Sequence, residues 1–331
     1  MLLVTFGTRP EYIKIDPVIK EMEKRNLPYR TFFTGQHTDL LKNINKPDYE
    51  LTIGEGTNRL DTIVQSILNK EEIFTDITCV MVQGDTSSAF ATALAAFHRK
   101  IPVAHLEAGL RTYDKYSPYP EEFNRCAISA LAEIHFCPTI TSASNLKKEG
   151  RKNVHVVGNT VLDNLSDVKI TDNNKVIVTL HRREKHNNIK DWFISVNKLS
   201  LKRKDLNFVL PIHPNPAVKK YKHLLTNVKV VDPLEHKEFL VELASCKYII
   251  TDSGGVQEEA AFLKKPCIVC RDFTERVEGL GTFSVLCKDP GDLEELTEWA
   301  ANTNLESNIC PYGDGKSSSY ICDIYEKLNV L

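Results

Sequence analysis

Short apolar runs that break into polar clusters, and then into helical periodicity, recur along this whole chain. This repeated change of period constrains the fold more than any other feature. Runs at 1–6, 29–34, 77–83, 101–104, 133–137 and 154–157 fill the first half. Others at 176–180, 208–211, 228–231, 248–251 and 267–270 fill the second. Continuous apolar runs of this length predict strands buried on both faces of parallel sheets. Helical patterns at 10–25, 59–69, 87–98, 139–150, from 188, 293–302 and 317–328 lie between and after them, and another opens at Pro120. Residues 45–57, rich in Asn, Pro, Gly and charge, read as loop. Strand–helix alternation in both halves predicts an α/β protein with two Rossmann-like, doubly wound domains. The polar stretch 166–175 reads as a hinge, giving domains 1–168 and 169–312, with the closing helix in 313–331.

The bulk properties remove several classes of function. A length of 331 residues fits two domains, and 42% apolar with 26% charged residues is an ordinary composition with ample core material. The formal net charge of −2 and the lack of a basic stripe speak against nucleic acid as a partner. No apolar run reaches membrane-span length, so no membrane partner is expected. The N-terminal MLLVTFGTRP has no signal-peptide pattern and runs straight into a strand. Nine scattered cysteines, an odd number, read as free thiols in a reducing, cytoplasmic compartment. Cys267 and Cys270 sit inside an apolar run with no second Cys/His pair at zinc spacing, so no metal is expected.

In open α/β sheets ligands bind at the carboxyl ends of strands. The polar clusters at 7–9, 35–37, 84–86, 105–111, 181–184, 213–215, 252–255 and 271–276 all follow strand ends, which predicts two domains facing across a cleft. The densest stretch is HLEAGLRTYDKYSPYPEEFNR, residues 105–125, holding Glu107, Arg111, Glu121 and Arg125. Glu121 and Arg125 share a helix face, where a surface i,i+4 ion pair is the plain alternative. Asp85 lies just before a helix, where an N-cap is equally open. Gly7-Thr8-Arg9-Pro10 turns from strand to helix, where backbone N–H groups can meet an anion. Ser253-Gly254-Gly255 opens a helix in the same way, with Glu258 and Glu259 one turn inside. The first strand lacks GxGxxG, which counts against NAD, and no Walker A sequence occurs. Asp85, Glu107, Glu121 and His181 suit acid–base work. Arg9, Lys14, His213 and Arg271 suit a departing diphosphate. These residue types describe a nucleotide-sugar or nucleotide-ester enzyme that requires no metal and no cofactor.

GTRPEYIK, VQGDT, HLEAGLRT, SPYPEEFNR, HRRE, TDSGGVQEEA and RDFTERVEG, in this order, resemble the non-hydrolysing UDP-N-acetylglucosamine 2-epimerases. The resemblance runs from Phe6 to the last helix. It implies a glycosyltransferase-B architecture whose last helix crosses back to the first domain. It implies homodimers that interconvert UDP-GlcNAc and UDP-ManNAc by eliminating UDP to 2-acetamidoglucal and adding it back. By motif, Arg9 and Lys14 would hold the diphosphate. Asp85, Glu107 and Glu121 would form the acid–base set, oriented by Arg125. His181 and His213 would lie by the sugar and phosphates, with Ser253, Gly254, Gly255 and Arg271 on phosphate and Glu259 on the ribose. Gln36, His37, Arg59 and Arg182 match parts of a second, regulatory UDP-GlcNAc site, although 42–58 is trimmed and HRREK replaces HRREN. A 2-epimerase of a UDP-diacetamido-uronic acid, a hydrolysing 2-epimerase and a glycosyltransferase of the same architecture are the alternatives.

Overall fold

Leu2–Phe6 forms strand β1, and every residue in it is buried, as an apolar run flanked by helices on both faces requires. The computed structural model describes residues 1–36, 45–171, 173–181, 188–213 and 215–328. Within it the chain divides into two units: Met1–Asp163 with Gly313–Leu331, and Asn164–Tyr312.

In unit 1, β1 is joined by β2 (Tyr29–Phe33), β3 (Tyr49–Glu50), β4 (Cys79–Gln83), β5 (Val103–Leu106), β6 (Ile134–Cys137) and β7 (Val154–Val156). All pair in parallel, in the order β3-β2-β1-β4-β5-β6-β7. Strand order reverses between β1 and β4, and that switch point is where open sheets of this kind bind ligands. Helix α1 (Arg9–Lys24) begins at an N-cap Thr8 whose hydroxyl accepts from the Glu11 N–H, while the Glu11 carboxylate returns to the Thr8 N–H. Helix α2 is Arg59–Leu68, and α3 is Ser87–His98. Buried alanines at 89, 91, 93, 95 and 96 let α3 lie close over the sheet. Helices α4 (Glu121–Leu131) and α5 (Ile140–Lys148) follow. The expectation of loop throughout 45–57 is corrected by β3. Its ladder to β2 extends the sheet by an edge strand too short to give a period.

Unit 2 carries β8 (Lys175–Thr179), β9 (Asn207–Pro211), β10 (Lys229–Val231), β11 (Tyr248–Thr251), β12 (Cys267–Val269) and β13 (Ser284–Leu286). They pair in parallel as β10-β9-β8-β11-β12-β13, with the switch between β8 and β11. Its helices are α6 (Ile189–Lys202), α7 (Pro216–Lys219), α8 (His236–Ser245), α9 (Gly254–Phe262) and α10 (Leu293–Asn302). Trp192 and Phe193 of α6 fill the core against Tyr248 and Ile250 of β11. Cys267 and Cys270 are buried free thiols of this unit.

The last helix, α11 (Ser317–Leu328), belongs to unit 1. Ile321, Cys322 and Tyr325 are buried there, and the Tyr325 ring meets Phe136 edge-on at 5.5 Å. The Asp163 carboxylate accepts from the first backbone N–H groups of α11, Ser317 at 3.0 Å and Ser318 at 2.7 Å. Arg25, at the end of α1, donates to Asp323, Glu326 and the Ser319 hydroxyl.

Candidate active site

The β4–α3 turn of unit 1 places Asp85 beside the switch point. Gly84 takes a φ of +69°, a region glycine enters without strain. The N-cap of α3 is Thr86, whose hydroxyl accepts from the Ala89 N–H, and this settles the bland reading of Asp85 against an N-cap. The Asp85 carboxylate instead meets Arg125 of α4 at 2.5 Å. Asn124, one residue earlier and buried, donates its amide to the Asp85 carbonyl at 2.9 Å. Two consecutive α4 residues thus hold both the backbone and the side chain of Asp85. Burial pushes the Asp85 carboxyl above its usual range, and the nearby Glu107 charge adds to the rise. The pull of Arg125 and Lys14 does not overcome this.

Glu107 stands just past β5 with a φ of +64°, rare for a side chain of this size and characteristic of functional turns. Its carboxylate receives Lys14 Nζ at 2.6 and 2.5 Å and Gln83 Nε2 at 2.5 Å. Lys14 is therefore an ion-pair partner of Glu107. Gln83, absent from the sequence reading, could have been found as the last inward residue of β4. Glu121 opens α4, and its Oε2 is buried with no hydrogen-bond partner among the described residues. An unmet buried carboxylate oxygen costs about 1–3 kcal/mol, so it adds nothing to stability there. The Glu121–Arg125 surface pair that was the plain alternative does not form, because Arg125 is buried and turns to Asp85 and to Glu122 at 3.3 Å. Glu122 in turn accepts from the Thr112 and Tyr113 N–H groups, fixing the approach to α4. Arg111 leaves this group and forms a two-pronged pair with Glu149.

The β1–α1 turn differs from expectation in one respect. The Gly7 and Thr8 N–H groups, read as open to an anion, are met by the chain's own Glu11 at 2.9 and 2.7 Å. Glu11 also accepts from the Thr86 hydroxyl at 2.6 Å, tying the β1 and β4 turns together across the switch point. Burial raises its carboxyl pKa, and these hydrogen bonds only partly offset that. The T-x-x-E spacing of Thr8 and Glu11 was the available signal. Arg9, the first residue of α1, is exposed.

In unit 2, His181 follows β8 and His213 follows β9, with rings stacked 5.1 Å apart at an interplanar angle of 6°. Asp252, at the end of β11 and fully buried, accepts the His181 backbone N–H at 2.7 Å. Ser253 is the N-cap of α9. Among the described residues a Cβ on Gly255 would meet nothing within 4 Å, and one on Gly254 would stand 3.2 Å from the Arg276 guanidinium. The positive end of a helix that starts at a strand end suits phosphate. Glu259 lies 3.1 Å from His236 Nε2. Glu258 takes Arg276 Nε at 2.9 Å. Arg271 is 2% exposed, bound to Glu275 at 3.0 Å and lying over the Phe273 ring. Burial alone would raise the Glu275 carboxyl, but Arg276 and Arg271 outweigh it and hold the pKa at about 2.

Of the residues matched to a regulatory site, Gln36 and Arg59 come together. Arg59 donates to the Gln36 carbonyl at 3.1 Å, and the Gln36 side chain accepts from the Ser88 hydroxyl at 2.5 Å. His37 and Arg182 lie outside the described residues. Among the described residues no group of three His, Cys, Asp or Glu could hold a metal ion, and no helix is long and apolar enough to cross a membrane.

Two Rossmann-like units, one with carboxylates gathered at its switch point and the other with a glycine-led helix N-terminus at its own, define an α/β enzyme of the glycosyltransferase-B type. A family model described as UDP-N-acetylglucosamine 2-epimerase matches residues 20–326. The chain is 40% identical to the UDP-N-acetylglucosamine 2-epimerase of Neisseria meningitidis serogroup A, over 97% of this chain and 98% of that protein. The crystal structure of a Neisseria meningitidis UDP-GlcNAc 2-epimerase bound to UDP-GlcNAc matches with a TM-score of 0.86 at 36% identity, covering 98% of this chain and 99% of that one. The Methanocaldococcus jannaschii UDP-GlcNAc 2-epimerase in complex with UDP-GlcNAc and UDP matches at 0.81 and 32% identity, with the same coverage. This chain belongs to the UDP-N-acetylglucosamine 2-epimerase family, and it is an isomerase.

Proposed function

We propose that this protein interconverts UDP-GlcNAc and UDP-ManNAc by eliminating UDP and adding it back, without hydrolysis. The observation that carries the reading is the set of carboxylates in unit 1: Asp85 held by Arg125, Glu107 held by Lys14 and Gln83, and Glu121 at the start of α4. The C2 proton of the sugar is not acidic, because no carbonyl is conjugated to it. Breaking the C1–O bond first sends the electron pair to the diphosphate and leaves positive charge at C1. That charge acidifies the C2–H, and a carboxylate removes the proton to give 2-acetamidoglucal. Protonation of C2 on the opposite face, with return of the diphosphate oxygen to C1, inverts C2 and regenerates the C1–O bond. The scheme needs more than one acid–base group and no net redox change, which the three carboxylates supply.

Unit 2 would supply the leaving-group contacts: backbone N–H groups at Gly254 and Gly255, with His181 and His213. Glu259 would meet the ribose. Binding in the Neisseria and Methanocaldococcus structures supports a UDP-sugar as the ligand. The test is proton NMR of UDP-GlcNAc with enzyme in D2O. Appearance of UDP-ManNAc with deuterium at C2 is the expected result. Release of free sugar and UDP in step with turnover would establish hydrolysis instead. An unchanged spectrum would refute epimerisation of this substrate, and the same assay on a UDP-diacetamido-uronic acid would then locate the activity.

A further inference from the structure

We propose that His236 is a positioning residue that holds the Glu259 carboxylate ready for the ribose of the nucleotide, and so sets the selection of ribose over deoxyribose. The proposal rests on the reading of Glu259 given above. His236 is the first residue of α8, and Glu259 lies one turn inside α9, so both belong to unit 2. They are 23 positions apart in the chain and meet through Nε2 and Oε1 at 3.1 Å. Glu259 is 4% exposed. Two neighbours on α9 are also buried, and both are taken up by the loop after β12: Gln257 accepts from the Thr274 hydroxyl at 2.9 Å, and Glu258 takes Arg276 Nε at 2.9 Å. Glu259 has one side-chain partner among the described residues, His236, and only on Oε1.

A carboxylate accepts hydrogen bonds and donates none, so this contact is made by an N–H on His236 Nε2. A buried carboxylate with a single donor is costly, and further donors recover that cost. Vicinal ribose hydroxyls are neutral donors with the spacing to meet a carboxylate, whereas a phosphate would be repelled by it. One helix can therefore sort the two ends of a nucleotide. Its N-terminus at Gly254 suits the diphosphate, and Glu259, about 7–8 Å of helix rise further on, suits the sugar. What His236 adds is orientation. A glutamate side chain has several rotatable bonds, and freezing them when the ligand arrives weakens binding. The imidazole holds Oε1 beforehand. Its own backbone is set by the first turn of α8, where the Phe239 N–H donates to the Glu235 carbonyl at 2.9 Å.

The test is calorimetric titration of the full chain with UDP and with 2′,3′-dideoxy-UDP, in the wild type, His236→Phe, His236→Gln, Glu259→Ala and the His236→Phe/Glu259→Ala double variant. His236→Phe removes the donor and keeps a ring, and it should weaken UDP about five- to tenfold while dideoxy-UDP stays within about twofold. His236→Gln sets an amide nitrogen where Nε2 stands and should restore UDP binding to within about threefold of wild type. In the Glu259→Ala background His236→Phe should cost nothing further, because its effect passes through the carboxylate. Equal weakening of both ligands by His236→Phe would show a merely structural contact, and unchanged binding of both would show no role; either overturns the proposal. A wild type that binds UDP and dideoxy-UDP alike would instead refute the ribose reading of Glu259, and the proposal with it. Should Glu259→Ala not fold, the two ligands on wild type, His236→Phe and His236→Gln decide without it.

Discussion

Replacing His105 by glutamine should make unit 1 less sensitive to acid. His105 lies on β5, fully buried, with Nε2 2.7 Å from the Gly84 carbonyl of the turn that carries Asp85. Burial pushes its pKa from 6.5 to about 3. The unfolded chain binds a proton at His105 below about pH 6.5, and the folded chain refuses it until about pH 3. Stability from this residue is therefore complete above pH 6.5 and is lost as the pH falls through that window. Each pH unit within it is worth about 1.4 kcal/mol, so about 2 kcal/mol is gone by pH 5 relative to pH 7.5. Glutamine keeps a donor for the Gly84 carbonyl and does not titrate. Urea dependence of amide hydrogen exchange in β5 reports unit 1 directly. Between pH 7.5 and 5 the wild type should lose about 2 kcal/mol more than His105→Gln. Equal losses in the two proteins would refute the reasoning.

Three further outcomes follow from the geometry. Asp85→Asn, Glu107→Gln and Glu121→Gln should each lower kcat about a hundredfold or more, measured as UDP-ManNAc formation, and near-wild-type turnover in all three would remove the assignment. Arg25→Ala removes the cation shared by Asp323 and Glu326 of α11. Because these groups are partly exposed, thermal unfolding should show a loss of only about 1 kcal/mol. Gly109→Ala sets a Cβ 2.2 Å from the Ser142 carbonyl at a φ of +90°, so it should destabilise unit 1 by about 2 kcal/mol or more in the same measurement.

The doubly wound architecture was legible because parallel strands are buried on both faces and so read as unbroken apolar runs, as Leu2–Phe6 and Cys79–Gln83 do. Short or half-exposed strands carry no such signal. Tyr49–Glu50 has only two residues, and Ser284–Leu286 has one buried position, and neither was anticipated. Candidate residues were legible from their position after strand ends, but their partners were not. Lys14 and Glu107 are separated by 93 residues, and only the fold brings them to 2.5 Å. At Glu121 and Arg125 the plain alternative of a helical ion pair gives way to a distant carboxylate, Asp85, which takes the guanidinium.

Cleavage and re-formation of the bond between C1 and the diphosphate oxygen is the central claim. It is tested most directly with UDP-GlcNAc carrying oxygen-18 in that bridging position, followed by phosphorus-31 NMR during turnover. Movement of the label into the non-bridging oxygens of the β-phosphate, alongside conversion to UDP-ManNAc, is the predicted result. Conversion with the label fixed in the bridge would contradict it.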